Sequence, residues 1–310
     1  RELGASLDPG AREVARDAGL SWQCAPGRVP PAASLIHEWR DEDNLWLRIS
    51  RCRGGYHLAF TAGVSFLIDG RTLIWEAAPA GSPDTIRHLL LDQALPLALS
   101  GQGAWVLHGS AVLLDGRAVL FVGDSGQGKS TLAAWLAMQG HRVLADDCLR
   151  LDDRGGDIVL RPSYPGLRMW PDAAQHVFAG KLVDMTSVAS YTRKLRVATP
   201  PGAPDSVPVG RLSALRKAAG ARVAVHDTTA GSVVSLIRHT FRLDIERRSD
   251  LSYDFARAAH LVTRGVVRHL EVPRDLDRPR DVERVVIADV TMARDASGRR
   301  QRESEGGRCA

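Results

Sequence analysis

Nine consecutive residues, Gly123-Asp124-Ser125-Gly126-Gln127-Gly128-Lys129-Ser130-Thr131, match the spacing GxxxxGK[ST]. These residue types suit polyphosphate chemistry. Glycines let backbone N–H groups close around phosphate oxygens, and a helix N-terminus adds positive potential. The lysine can then reach the terminal phosphates, and Ser130 can ligate Mg²⁺. An apolar run, Ala118 to Val122, precedes the loop, and a helix from about Lys129 to Gln139 is predicted to follow it. That is the context the pattern requires, so ATP with Mg²⁺ is the expected ligand.

Asp146 and Asp147 stand at the end of the next apolar run, Arg142 to Ala145. A carboxylate in that place can hold the metal or accept the proton of an attacking hydroxyl. Neighbours on an extended chain point to opposite faces, so the two should take different roles unless the strand has already turned. Of 41 basic residues only Lys129, Lys181, Lys194 and Lys217 are lysines. The pair Arg193-Lys194 is therefore a candidate source of positive charge beside a transferred group, set against the alternative of a solvated face.

These groups need a scaffold. From Leu45 to Glu76 short apolar runs alternate with turn signals, including Asp69-Gly70, which predicts a small antiparallel sheet. Ser82-Pro83-Asp84 opens a helix that is expected to kink or end near Pro96. Strands are expected at Val106 to Leu114, Ala118 to Val122 and Arg142 to Ala145, with the glycine loop and its helix between the last two. This is a strand, loop, helix, strand unit of α/β type. A hairpin is expected around Asp153-Arg154-Gly155-Gly156. Residues 198–210, rich in proline and glycine, read as a loop or mobile segment. A strand near Val223, helices from about Ala230 and Leu251, a strand at Val266 to Leu270 and a last helix from Arg280 complete the reading. The expected divisions are a loosely structured lead-in (1–33), a β-rich domain with its connecting helix (34–100), a catalytic α/β domain (101–294) and a disordered tail (295–310).

The stretch from Leu107 to Leu151 resembles the catalytic domain of HPr kinase/phosphorylase. The residues that carry the likeness are His108-Gly109, the Gly-Asp-Ser-Gly-x-Gly-Lys-Ser loop from Gly123, Gly140-His141-Arg142 and Ala145-Asp146-Asp147. The run Tyr164-Pro165-Gly166-Leu167-Arg168-Met169-Trp170-Pro171-Asp172 extends it. The chain looks still more like the shorter HPr-kinase-related proteins found beside peptide-modification genes, some of which act on lasso-peptide precursors. The resemblance implies a P-loop kinase core of the HPr-kinase C-terminal type, preceded by an unrelated β-rich domain.

It also implies roles. Lys129 and Ser130 serve phosphate and Mg²⁺, Asp147 is the proton acceptor, Asp146 lies beside metal and phosphate, and His108 lies near the reacting phosphoryl. Asp172 falls about where the family places a metal-binding Glu, although Pro171-Asp172 is also a natural helix start. The family's Glu followed by Arg-Gly-Leu-Gly is absent after Asp172, where Ala173-Ala174-Gln175-His176 stand instead. That run is tied to docking of HPr and to the reverse, phosphate-driven reaction, so neither is expected here.

Composition sets the class. The chain has 310 residues, 44% hydrophobic and 25% charged, in the range of folded globular domains. Its net charge of +5 falls to about +3 without the residues from Arg294 onward, and only 5% of residues are aromatic, so no nucleic-acid partner is expected. Cys24, Cys52, Cys148 and Cys309 show no metal-ligand spacing, and a reducing cytoplasm fits them. No apolar run is long enough to cross a membrane and no secretory leader is expected. The leading reading is an ATP-dependent kinase acting on a hydroxyl of a small protein or peptide. A nucleotide-dependent binding module and a small-metabolite kinase are the alternatives. The additional sheet suggests a macromolecular partner or a contact between copies in a homo-oligomer.

Overall fold

A computed structural model of the chain describes residues 23–273 and 280–292, apart from positions 42, 80, 165, 180, 182, 219, 221, 229 and 230. The expected tail (295–310) lies outside the described residues.

The first sheet contains β1 (Gln23–Pro26), β2 (Ser34–Asp41), β3 (Asn44–Cys52), β4 (Gly55–Phe60), β5 (Val64–Asp69) and β6 (Thr72–Ala77). The strands lie in the order β1-β6-β5-β4-β3-β2. From β2 to β6 each strand pairs antiparallel with the next, and Asp69 pairs with Thr72 across the expected turn, where Gly70 adopts φ 54°. Period-two alternation buries Leu47, Ile49, Leu58, Phe60, Val64, Phe66, Ile68 and Leu73 in one core. β1 pairs in parallel with β6, so this sheet already begins within the residues read as a loose lead-in. β1 is exposed throughout, which leaves its sequence with no apolar periodicity to announce it.

α1 (Pro83–Leu89) starts where expected, with Ser82 Oγ accepting from the Thr85 N–H at 3.1 Å. It does not stop at Pro96. A π-helical turn (Leu90–Ala94) leads directly into α2 (Leu95–Gly101). Pro96 has no N–H for the carbonyl four residues back, and its ring crowds that carbonyl. A wider turn placed just before it relieves both problems without ending the helix. Leu89, Leu90, Leu97 and Ala98 pack into the first core, which also takes in Val106, Cys148, Tyr164 and Leu243 from later in the chain.

The remaining strands are β7 (Trp105–Leu107), β8 (Gly109–Leu114), β9 (Arg117–Val122), β10 (Arg142–Asp146), β11 (Leu149–Arg154), β12 (Asp157–Arg161), β13 (Leu167–Met169), β14 (Met185–Ala189), β15 (Thr192–Val197), β16 (Val207–Lys217), β17 (Ala224–His226) and β18 (Val267–Val272). Nine of them form a second sheet in the order β10-β8-β9-β16-β12-β11-β7, with β18 also on β16 and β17 on β18. β13, β15 and β14 make a small third sheet. The helices are α3 (Lys129–Met138), α4 (Pro171–Val177), α5 (Gly231–Arg238), α6 (Arg248–Thr263) and a last one over 280–292. No described helix is long and apolar enough to cross a membrane.

Helices cover both faces of the second sheet. Leu132, Leu136, Val177, Val282 and Val286 pack on Val119 and Phe121, while Leu236, Ala258 and Leu261 pack on Leu120 and Val122. β9 is buried on both faces, which is why its sequence is a continuous apolar run. β16 is the hub: it pairs with β9 and β18 in parallel and with β12 antiparallel. Its first four residues, Val207 to Gly210, lie in the segment read as a loop. Pro208 pairs at its start, where β12 is its neighbour, and a register shift between Val209 and Arg211 brackets Gly210. A Cβ at Gly210 would stand 2.9 Å from that of Arg117, so glycine is needed in this strand for close approach. Because β8 runs antiparallel to both β9 and β10, the strands β10, β9, β16 and β18 all run the same way. Their C-terminal ends meet at one edge.

Candidate functional site

That edge carries a cavity of about 930 Å³. The glycine loop after β9, Asp147 after β10, Lys217 at the end of β16 and Pro273 after β18 all line it. In sheets of this kind, ligands bind at the carboxyl ends of parallel strands.

Gly126 and Gly128 hold φ values of 74° and 87°, a region that side chains with a Cβ rarely adopt. Gly128 caps α3 without a side-chain acceptor, so no protein side chain competes for the helix's first N–H groups. Lys129 is buried, and its Nζ donates to the Gly123 and Asp124 carbonyls at 2.9 and 3.0 Å. Burial lowers its pKa, opposed by the Asp147 and Asp146 carboxylates. Gln127 closes the loop on itself: its Nε2 donates to Asp124 Oδ2 at 3.2 Å and its Oε1 accepts from the Asp124 N–H at 3.0 Å. Ser125 and Thr131 line the cavity.

The two aspartates are separated by a turn of the backbone. Asp146 ends β10, whereas Asp147 has φ 64° and turns into the cavity. Asp146 is covered: Oδ1 accepts from Ser130 Oγ at 2.9 Å and Ser110 Oγ at 2.5 Å, and Oδ2 accepts from the Arg168 N–H at 2.7 Å. Burial first, and the neighbouring Asp147 second, raise its pKa to about 6. Burial would raise Asp147 too, but His108, Lys194, Arg168 and His88 outweigh it and bring this carboxyl down to about 2. Its Oδ1 lies 3.9 Å from His108 Nδ1 and its Oδ2 3.9 Å from Arg168 Nε. His108 Nδ1–H donates to the Asp147 carbonyl at 3.1 Å, and burial lowers this imidazole to about 4, so it is neutral near pH 7. Asp147 is thus an ionised acceptor facing the cavity, and Asp146 is a shielded carboxylate tied to Ser130.

Lys194 reaches the cavity from β15, with Nζ 5.7 Å from the centre of the Trp170 ring. Arg193, its strand neighbour, is exposed and does not line the cavity, because alternation on β15 sends it to the other face. Asp172 lies in the first turn of α4 and lines the cavity, but it is exposed. Among the described residues no three His, Cys, Asp or Glu side chains converge as a metal-ligand set. The Ser130–Asp146 pair does suit Mg²⁺, which needs few protein ligands when phosphate oxygens and waters supply the rest. Arg168, Trp170, His176, Arg216 and Lys217 also line the cavity. In the sequence Lys217 stands out as one of four lysines, and Arg168 and Trp170 fall within the family-like run, but none of the five is assigned a role in the site from sequence. For Arg168 a signal existed: an arginine between Leu167 and Met169 in a three-residue apolar strand is a charge the fold must bury.

A segment of this chain is similar to HPr kinase/phosphorylase. It is 40% identical over 53 residues to that enzyme from Prosthecochloris aestuarii, covering 17% of this chain and 16% of the relative. The protein from Geobacillus sp. strain WCH70 is 47% identical over 63 residues, 20% of this chain and 19% of the relative. That from Bacillus subtilis strain 168 is 41% identical over 54 residues, 17% of each. The chain therefore matches under a fifth of the length of these relatives. No protein-family model matches it. Among solved structures, the HPr(Ser) kinase/phosphatase from Coxiella burnetii aligns over 63% of this chain and 98% of its own, at 11% identity and a TM-score of 0.30.

Proposed function

We propose that the protein is an ATP-dependent kinase of the HPr-kinase type that transfers the γ-phosphoryl group to a serine or threonine hydroxyl of a small protein or peptide. The observation that carries this reading is the placement of Asp147: an ionised carboxylate on the wall of the cavity that the glycine loop and Lys129 also line. A site that only bound nucleotide would have no use for a proton acceptor there.

In this reading the loop's N–H groups and Lys129 hold the triphosphate, with Lys129 exchanging its bonds to the Gly123 and Asp124 carbonyls for phosphate oxygens. Ser130 and Asp146 would hold Mg²⁺, whose charge would offset that of the phosphate oxygens. Asp147 takes the proton of the acceptor hydroxyl. That oxygen bonds to the γ-phosphorus as the bond to the bridging oxygen breaks and its electron pair leaves with ADP. Neutral His108 donates to the Asp147 carbonyl and so braces the backbone that presents the base, and Lys194 meets the charge on the transferred group.

The acceptor we favour is a peptide or small protein other than HPr, a ribosomally made precursor such as that of a lasso peptide. The direction is phosphorylation without efficient phosphorylase activity, since α4 continues from Asp172 through Ala173-Ala174-Gln175-His176 with none of the Arg-Gly-Leu-Gly run. The reducing cytoplasm is the compartment this chemistry and the cysteines suit. Incubation with γ-labelled ATP, Mg²⁺ and the peptides encoded beside the gene, read by mass spectrometry, tests it. An added phosphate on a Ser or Thr is the expected result, and efficient phosphorylation of HPr, or rapid pyrophosphate release on adding phosphate, would overturn the specificity.

A further inference from the structure

We infer that Arg168 and Asp92 are positioning residues for Asp147, and that the helical segment following the first sheet is built into the site through them. The inference rests on the kinase reading.

Asp92 lies in the π-helical turn and is 1% exposed. Four donors converge on its carboxylate. Arg168 Nη2 donates to Oδ1 at 3.1 Å and Nε to Oδ2 at 3.3 Å. His88 Nδ1 meets Oδ2 at 2.5 Å, and the Tyr164 hydroxyl donates to Oδ1. The guanidinium is held further by Nη1 donating to the Gly166 carbonyl at 2.9 Å and by the face of the Tyr164 ring, 4.2 Å away. A two-point grip by a carboxylate fixes a guanidinium in plane. Arg168 therefore has no freedom to turn.

The same residue touches both site aspartates. Its backbone N–H donates to Asp146, and its Nε stands 3.9 Å from Asp147 Oδ2. That separation favours the ionised carboxylate by charge and is too long for a hydrogen bond. The distinction matters for a base, because an oxygen already accepting from an arginine is a poorer proton acceptor. Asp92 thus keeps Arg168 at arm's length from Asp147. Removing its grip frees the guanidinium to close on Asp147 and occupy the lone pairs that the acceptor's proton needs.

A second attachment points the same way. Thr85, on α1, bonds Ser190 through Oγ1 at 2.8 Å to Oγ and 3.1 Å to N. Ser190 and Tyr191 form the turn into β15, which carries Lys194, and the Tyr191 ring packs 5.0 Å from Trp46 of the first sheet. The amino-terminal unit thereby fixes two of the charges facing the cavity.

The test uses the full chain with Mg-ATP, and water as the acceptor. In Asp92→Asn the grip weakens while the shape is kept. The expected result is an unchanged Kd and KM for Mg-ATP with phosphate release slowed about 10- to 100-fold in kcat, a split that mere loosening of the fold would not give. A crystal structure of the variant should show Arg168 within hydrogen-bond distance of Asp147. Arg168→Lys, which cannot grip with two donors, should show the same split. Tyr164→Phe, which keeps the ring and loses one donor, should show a smaller effect and covers the case in which Asp92→Asn does not fold. Folded variants with wild-type kcat, or an Arg168 unmoved in the Asp92→Asn structure, would overturn the inference. Wild-type protein that fails to bind Mg-ATP would instead remove the kinase reading, and the inference with it.

Discussion

The Ser130 hydroxyl donates to Asp146 Oδ1 at 2.9 Å, joining the first turn of α3 to the end of β10. Ser110 shares that oxygen, and the Arg168 N–H takes the other. The carboxylate is therefore held by three donors while lying beside a second carboxylate, so its charge is a cost that Mg²⁺ would remove.

The first prediction follows from that cost. Asp146 has a folded pKa raised to about 6, against about 3.9 for an unfolded chain. Between those values the folded state holds a proton the unfolded state lacks, so this group's contribution falls as pH rises from 4 to 6 and is fully unfavourable above 6. Asp146→Asn can donate to both serines and accept from Arg168. In chelator it should be more stable than wild type at pH 7.5, by on the order of 2 kcal/mol, and no more stable below pH 4. Urea melts at the two pH values decide it.

Lys129→Ala should weaken Mg-ATP binding at least tenfold, because the loss removes the only loop cation aimed at the terminal phosphates. Calorimetric titration measures this directly.

Asp147→Asn should retain Mg-ATP affinity and lose about 10²- to 10⁴-fold in transfer rate, the range of a missing general base. Single-turnover transfer of labelled phosphate is the measurement. A wild-type rate would move the role to Asp146, the adjacent carboxylate.

Gly109 opens β8 beside His108, and a Cβ there would lie 2.5 Å from the Phe121 carbonyl oxygen and 2.7 Å from Leu149 Cδ1. Gly109→Ala should cost about 1–3 kcal/mol by forcing β8 from its neighbours. The urea midpoint should fall, and His108 should lose its bond to the Asp147 carbonyl.

Much of this arrangement was legible before the structure. The loop, α3 and the two aspartates are contiguous signals, and the first sheet announces itself by alternation in β3 to β6. What stayed hidden depends on distance in sequence or on mixed local signals. Asp92 and Arg168 lie 76 residues apart, and nothing local to either marks the other. The opposite sides taken by Arg193 and Lys194 follow only once β15 is known to be a strand. The start of β16, Val207 to Gly210, carries Pro208 and Gly210, which argue for a loop until a neighbouring strand is present to justify them.

The position of β16 also governs the order in which the molecule can assemble. β9, with Ala118 to Val122 fully buried, borders a strand whose partner residues begin at Val209. During synthesis β9 and the glycine loop emerge long before the chain that closes their sheet edge. An apolar strand with an open edge invites pairing with other chains. Sheet closure over such separations is slow. Nascent chains truncated before Lys217 should therefore depend on chaperones, and the cavity should first exist once β18 and Pro273, the last residue of its lining, have joined the sheet edge.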